Sequence, residues 1–349
     1  MPRLRAACWW VSASRCSRRP SPTTSWHPSP RESVATATAS GLRPSWLHSS
    51  RPACACGDSP WSSPASRIAS SPSPERGSTL FSSLLLSELR ILFSRRRTVA
   101  LLVALAAIPI LIAVAIRLAS SPGTGRGPAF LDQVTQNGLF VGVSALVVAI
   151  PLFLPLTVGV VAGDTIAGEA SHGTLRYLLV APAGRARLLV VKYLGAAAFC
   201  IAAALTVVIA GTLIGAALFP VGPVTVLSGT TIDVGEALLR FLAIAGYVAV
   251  SLLGLSAIGL FFSTLTNVPV GAMAATISFS VASQILDALP QTEWLHPWLF
   301  SHYWFSFADI LRDPVSWASF GDNALLQAGY IAVFGALAFG RFLTKDILA

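Results

Sequence analysis

From residue 79 onward, one amphipathic stretch is followed by long apolar runs separated by short polar gaps. Leu80, Phe81, Leu84, Leu85, Glu88, Leu89, Leu92 and Phe93 recur at three- and four-residue steps, and the stretch closes on Arg95, Arg96 and Arg97. This spacing predicts an amphipathic helix over 79–97 on a membrane surface, its basic end toward the cytoplasm or serving as a plain juxtamembrane anchor. Six apolar runs follow, near Thr98–Ile116, Leu139–Val161, Tyr193–Phe219, Leu238–Phe262, Val268–Leu289 and Ala324–Phe342. Each is about the length needed to cross a hydrocarbon core roughly 30 Å thick. Arg117, Lys192, Arg240 and Arg341 sit at run ends, as expected when a central Arg costs about 2.5–3.5 kcal/mol. The predicted fold is an all-α integral membrane protein with six transmembrane helices in a domain over 98–349.

Composition supports this and isolates the N-terminus. Of 349 residues, 54% are hydrophobic and 11% charged, with a mean hydropathy of +0.69, which belongs to multi-spanning proteins. The formal charge of +9 is mostly in residues 1–78, which hold ten Arg and three acidic residues, so it gives no general nucleic-acid signal. That segment is rich in Ser, Pro and Arg, lacks Lys and has no apolar periodicity, so it reads as a disordered tail. Its composition also fits upstream sequence read in the wrong frame, outside the native protein; a nucleic-acid-binding tail is the alternative. Cys8, Cys16, Cys54 and Cys56 fall in the tail and Cys200 in an apolar run, in no metal-ligand spacing.

The basic residues set the expected orientation. With a cytoplasmic N-terminus, inner segments hold ten Lys or Arg after residue 78 and outer segments hold Arg117, Arg126, Arg240 and Arg312. The outer loop 289–323 and its borders carry Asp287, Glu293, Asp309, Asp313 and Asp322. Both termini and the polar loop 163–192 are therefore expected inside.

No phosphate-binding Gly-x-x-x-x-Gly-Lys-Ser/Thr loop, His-Glu-x-x-His or Gly-x-Ser-x-Gly motif is present. The chain is accordingly expected to be no enzyme and to bind no cofactor or metal itself. No Asp, Glu, Lys, Arg or His lies at the centre of a predicted span, where an ion-coupled carrier often places its relay. Loop 163–192 stands out instead, with Asp164, Glu169, His172, Arg176, Arg185, Arg187 and Lys192 between two uncharged runs. Asp164 to Leu179 suits a short helix with Glu169 early and Arg176 late, matching the helix dipole, and with Pro182 and Gly184 ending it. Arg185, Arg187 and Lys192 would then pair with acidic groups on a partner or with lipid phosphates, or serve only to fix topology.

The order Gly163-Asp164, Glu169, Gly173-Thr174, Leu178-Leu179, Pro182, Arg185 and Lys192 after the second span resembles the permease subunits of ATP-binding-cassette (ABC) transporters, type-two exporter class. The basic amphipathic stretch and the count of six spans agree with it. The resemblance implies a dimer of permease copies in the cell membrane, with a separate ABC ATPase subunit binding ATP and Mg. It implies that Asp164, Glu169, Gly173, Thr174, Arg176, Pro182 and Arg185 couple the chain to that ATPase. The other readings are a secondary, ion-coupled carrier and a non-transporting membrane scaffold.

Other features have two readings each. Pro151 and Pro155 kink the second span, by packing or around a path. Gly211 and Gly215 make a close-approach pair, within the chain or at a dimer seam. Thr276, Ser280, Ser283 and Gln284 form a polar stripe suited to a translocation path or to ordinary interhelix bonding. The aromatic loop 289–323 predicts re-entrant or surface-lying helices, with His296 and His302 as aromatic-belt residues.

Overall fold

The computed structural model describes residues 74–119, 137–171, 173, 185–225 and 229–344. The expected disordered tail lies outside them except for 74–78, which already belong to a helix. That helix, α1 (Pro74–Ser94), starts on a proline, whose missing N–H costs nothing at a first helical position. After a bend at Arg95 come α2 (Arg96–Ala119), α3 (Phe140–Ala149), α4 (Phe153–Ser171) and α5 (Arg185–Leu218). A two-residue hairpin pairs β1 (Val224–Thr225) with β2 (Thr231–Ile232). Then follow α6 (Val234–Leu265), α7 (Pro269–Ala288), two 3₁₀ stretches (Pro290–Trp298 and His302–Leu311) and α8 (Ala318–Thr344). Among the described residues α2, α4, α5, α6, α7 and α8 are long and apolar enough to cross a membrane. The chain is an all-α multi-pass membrane protein.

The second apolar run is not one helix. Pro151 and Pro155 cannot donate to the helical ladder, so the chain turns over 150–152 between α3 and α4. The ladder resumes at once: Ile150 N donates to Leu146 O at 2.8 Å and Leu156 N to Leu152 O at 3.0 Å. The kink lets the two halves pack differently, α3 on α2 and α5, α4 on α6 and α7.

α6 is the central post. It is 72% buried along its apolar window, against 17% for α8 and 22% for α2, so those two line the outside. Asp233 caps α6 by accepting from Gly235 N at 3.2 Å, and Glu236 in the first turn complements the dipole. The Gly211/Gly215 pair is used within the chain: a methyl on Gly215 would strike the Gly138 carbonyl, and one on Gly211 the Cα of Gly142. Two glycines on each side thus bring α3 and α5 into backbone contact. α5 has 34 residues, about 51 Å at 1.5 Å per residue, so its first turns extend past a 30 Å core. Glu88 of α1 and Phe342 of α8 meet the same turns of α5, so both described ends lie at one end of the bundle.

Candidate functional site

Residues 163–192 were the expected centre of function, and the site is built from α4. This helix does not stop where its apolar run ends. It continues through Asp164 and Glu169 to Ser171, held by close packing on two sides. A Cβ on Gly163 would lie 2.8 Å from Met273 N, so α4 and α7 touch along their backbones. From α6, Ser263 Oγ donates to Gly163 O at 2.8 Å and accepts from Ile166 N at 3.0 Å and Ala167 N at 2.8 Å. One hydroxyl thereby uses its full bonding capacity to clamp α4 to α6.

Of the charges beyond that clamp, Lys192, Glu88 and Glu169 face inward, while Arg95 and Arg97 are about half exposed. Lys192 of α5 is only 3% exposed; its Nζ is 2.7 Å from Glu88 Oε1 of α1 and also bonded to Glu169 Oε1 of α4. Asp164 Oδ2 accepts from Arg97 Nη1 at 3.2 Å, with Arg95 Nη1 at 3.9 Å. Arg97 Nη2 reaches Met273 Sδ at 3.1 Å. The cleft between them, lined by Glu88, Arg95, Arg97, Asp164 and Lys192, is about 30 Å³. That is room for a water or so, not for an organic ligand. Three acids and three bases cancel formally, so the junction has no surplus charge to offer a partner. Its chemistry is mechanical: the enclosed Lys192 and the two carboxylates it holds fix the geometry of α1, α4 and α5, because separating them is costly.

Two expectations are corrected here. Asp164 and Glu169 do not begin a separate helix running to Leu179; they are the last turns of α4, which ends at Ser171 with Gly173 beyond it at φ +70°. Only glycine adopts that conformation cheaply. Lys192 does not point toward a partner or lipid but is enclosed. Thr174, Arg176 and Pro182 lie outside the described residues, as does the side chain of Arg185, whose backbone opens α5. Exposed bases near the junction without an acidic partner among the described residues include Arg90 and Arg96, with Arg187 half-buried.

Glu88 is the residue sequence reasoning passed over. It sits on the apolar stripe of α1 between Leu84, Leu85, Leu89 and Leu92, an odd place for a lone carboxylate, and that oddity was the available signal.

The polar stripe of α7 is packed. Thr276 is buried and donates to Ala272 O at 2.8 Å, close to Gly159 and Gly259. Ser283 Oγ is 2.7 Å from Ser301 Oγ, while Gln284 Nε2 reaches back to Ser280 O and Oγ at 3.5 and 3.4 Å. At the opposite end of the bundle, the 3₁₀ stretches are fastened to α6 and α8. Trp304 Nε1 donates to Ser251 O at 3.1 Å, Asn323 Nδ2 to Ser251 Oγ at 2.7 Å and Gln327 Nε2 to Phe300 O at 2.9 Å. His302 Nδ1 pairs with Asp287 Oδ1 at 2.7 Å, and His296 Nε2 lies 3.2 Å from Leu289 O.

A family model described as a protein of unknown function (DUF2705) matches residues 106–348, more than half of the chain. The chain belongs to this family. The family match begins inside α2 and takes in the clamp at Ser263, Asp164, Glu169 and Lys192, while Glu88, Arg95 and Arg97 precede it. No curated protein matches the chain significantly.

Proposed function

We propose that this chain is the membrane-spanning permease subunit of an ATP-driven ABC exporter of the type-two class. It works as a homo- or heterodimer in the cytoplasmic membrane, with both termini and the 163–192 region inside, and ATP and Mg are handled by a separate ATPase subunit. The observation that carries the reading is the ion-paired junction. α4 runs unbroken from Phe153 to Ser171, and its last turns are tied to α1, α2 and α5 through Glu169 and Asp164. A push on the end of α4 would therefore reach four helices together, which suits rigid transmission of a partner's motion into alternating access. The loop motif from Gly163 to Lys192 and the excess of bases at this end support the same assignment.

Glu169 is a poor test residue, since removing it breaks a buried ion pair. Arg176 and Arg185 are better. In Arg176→Glu with Arg185→Glu, coupling predicts normal membrane insertion and loss of ATP-dependent transport by the assembled complex. Unchanged transport and unchanged ATPase stimulation in that variant contradict the coupling role, and transport that follows an ion gradient without ATP contradicts the exporter reading itself.

A further inference from the structure

A cleft of about 640 Å³ opens at the bundle end opposite the ion pairs, between the first 3₁₀ stretch and the first half of α8. Its walls include Trp298, Tyr303, Tyr330 and Phe334, with Leu325 at the rim and Asp322 as the one carboxylate among the lining residues. The volume is within the range of small-molecule sites, roughly 300–1,000 Å³. The aromatic walls are braced: Tyr330 OH donates to Trp298 O at 2.9 Å, and the Tyr330 and Phe334 rings stack with centroids 5.9 Å apart. Trp298 is 69% exposed and Leu325 76%, so the cleft is open on its outer side.

Among the described residues this end carries more acidic than basic side chains, with Arg117, Arg240 and Arg312 as its arginines. Asp322 has no hydrogen-bond or ion-pair partner among the described residues, while Arg240 is taken by Glu236 at 2.6 Å and Arg312 by Asp309 at 3.5 Å. Asp233, Asp287, Glu293 and Asp313 also lie at this end, Asp287 paired with His302 and Asp313 accepting from Thr230.

We propose that this cleft binds a lipophilic cation, a molecule with an ammonium, quaternary ammonium or similar charged head on an apolar body. A cation over the faces of Trp298, Tyr303 and Tyr330 is attracted by the ring quadrupoles, and Asp322 supplies the counter-charge. Leu325 and Phe334 take the apolar body. A neutral amphiphile would gain only the last of these terms, and an anion would be repelled. The source is either a soluble lipophilic cation or the choline head of a lipid, which share the recognised chemistry. The site does not depend on ATP coupling and is tested on the full chain alone, so its failure and that of the permease reading are separable.

The experiment measures binding of radiolabelled tetraphenylphosphonium to the purified full chain in neutral detergent, with tetraphenylborate as an anion of matched shape. The expected result is saturable cation binding that tetraphenylborate does not displace. Asp322→Asn and Trp298→Leu should each weaken it about fivefold, while Trp298→Phe keeps most of it. Both side chains are exposed, so unfolding midpoints should match the unmodified protein. Repeating the measurement in phosphatidylcholine and phosphatidylglycerol nanodiscs names the source: competition in the first assigns the choline head, and equal binding in both assigns a soluble cation. Either result upholds the site. Absent saturable binding, equal displacement by tetraphenylborate, or unchanged affinity in Asp322→Asn or Trp298→Leu overturns it. So does efficient disulfide formation between two Leu325→Cys copies in native membranes, which would mean that a second chain fills the cleft.

Discussion

Lys192 is the point at which the junction is most exposed to attack. Lys192→Met keeps an apolar stem of similar reach and removes the charge, leaving Glu88 and Glu169, 20% and 14% exposed, facing each other with no lysine between them. Removing one partner of a fully buried pair costs about 3–5 kcal/mol. Because both carboxylates keep some contact with solvent, we expect about 2–4 kcal/mol, the lower part of that range extended downward for screening. Lys192→Met with Glu169→Gln removes one of the two stranded charges, so it should be less damaging than the single variant by about 1 kcal/mol or more, a coupling typical of contacting groups. Arg95→Met is the control: its guanidinium is 46% exposed and 3.9 Å from Asp164, so its loss should cost under about 1 kcal/mol. Unfolding by sodium dodecyl sulfate titration in mixed micelles, followed by circular dichroism, reads all three. A Lys192→Met protein within about 0.5 kcal/mol of the unmodified one, the range of ordinary surface changes, would refute the view that these charges lock the helices.

Further expectations follow from packing and topology. Gly215→Val should destabilise by about 2 kcal/mol or more in the same titration, because the side chain must displace the Gly138 backbone. Gly173→Ala has open space around the added methyl but a φ of +70°, so it should cost only about 1 kcal/mol, measured as a small shift in unfolding midpoint. Ser171→Cys, at the end of α4, should react with a membrane-impermeant maleimide only after the inner face is opened; labelling in intact cells would reverse the proposed orientation.

The number and approximate placement of the spans were legible because an uncharged apolar run of membrane-crossing length is seldom needed outside a bilayer, and because charges cluster at run ends. The glycine pair in α5 also announced close approach, although its partners, Gly138 and Gly142, became evident only when the second run proved to be two helices. Pro151 and Pro155 had signalled a kink, but not that α3 and α4 would pack against different neighbours. The ion pairs were not legible. Glu88 and Lys192 are 104 residues apart, and nothing in local periodicity says which distant charges will share one buried space. Hydropathy treats every charge near a span as solvated, so Lys192 read as a loop base when it is enclosed by three helices. The end of α4 was misplaced for a similar reason: Pro182 and Gly184 are strong breakers, but the left-handed Gly173 acts first.

The central claim is that this chain delivers a partner's ATP-driven motion to its spans, and association with the ATPase tests it most directly. The full chain, tagged at its C-terminus and isolated from native membranes in mild detergent, should bring down a P-loop ATPase at a near-equal ratio. The complex should hydrolyse ATP in a vanadate-sensitive manner, and Arg176→Glu with Arg185→Glu should abolish the stimulation. Isolation of the intact chain with no nucleotide-hydrolysing subunit, even after cross-linking in the membrane, would contradict the account.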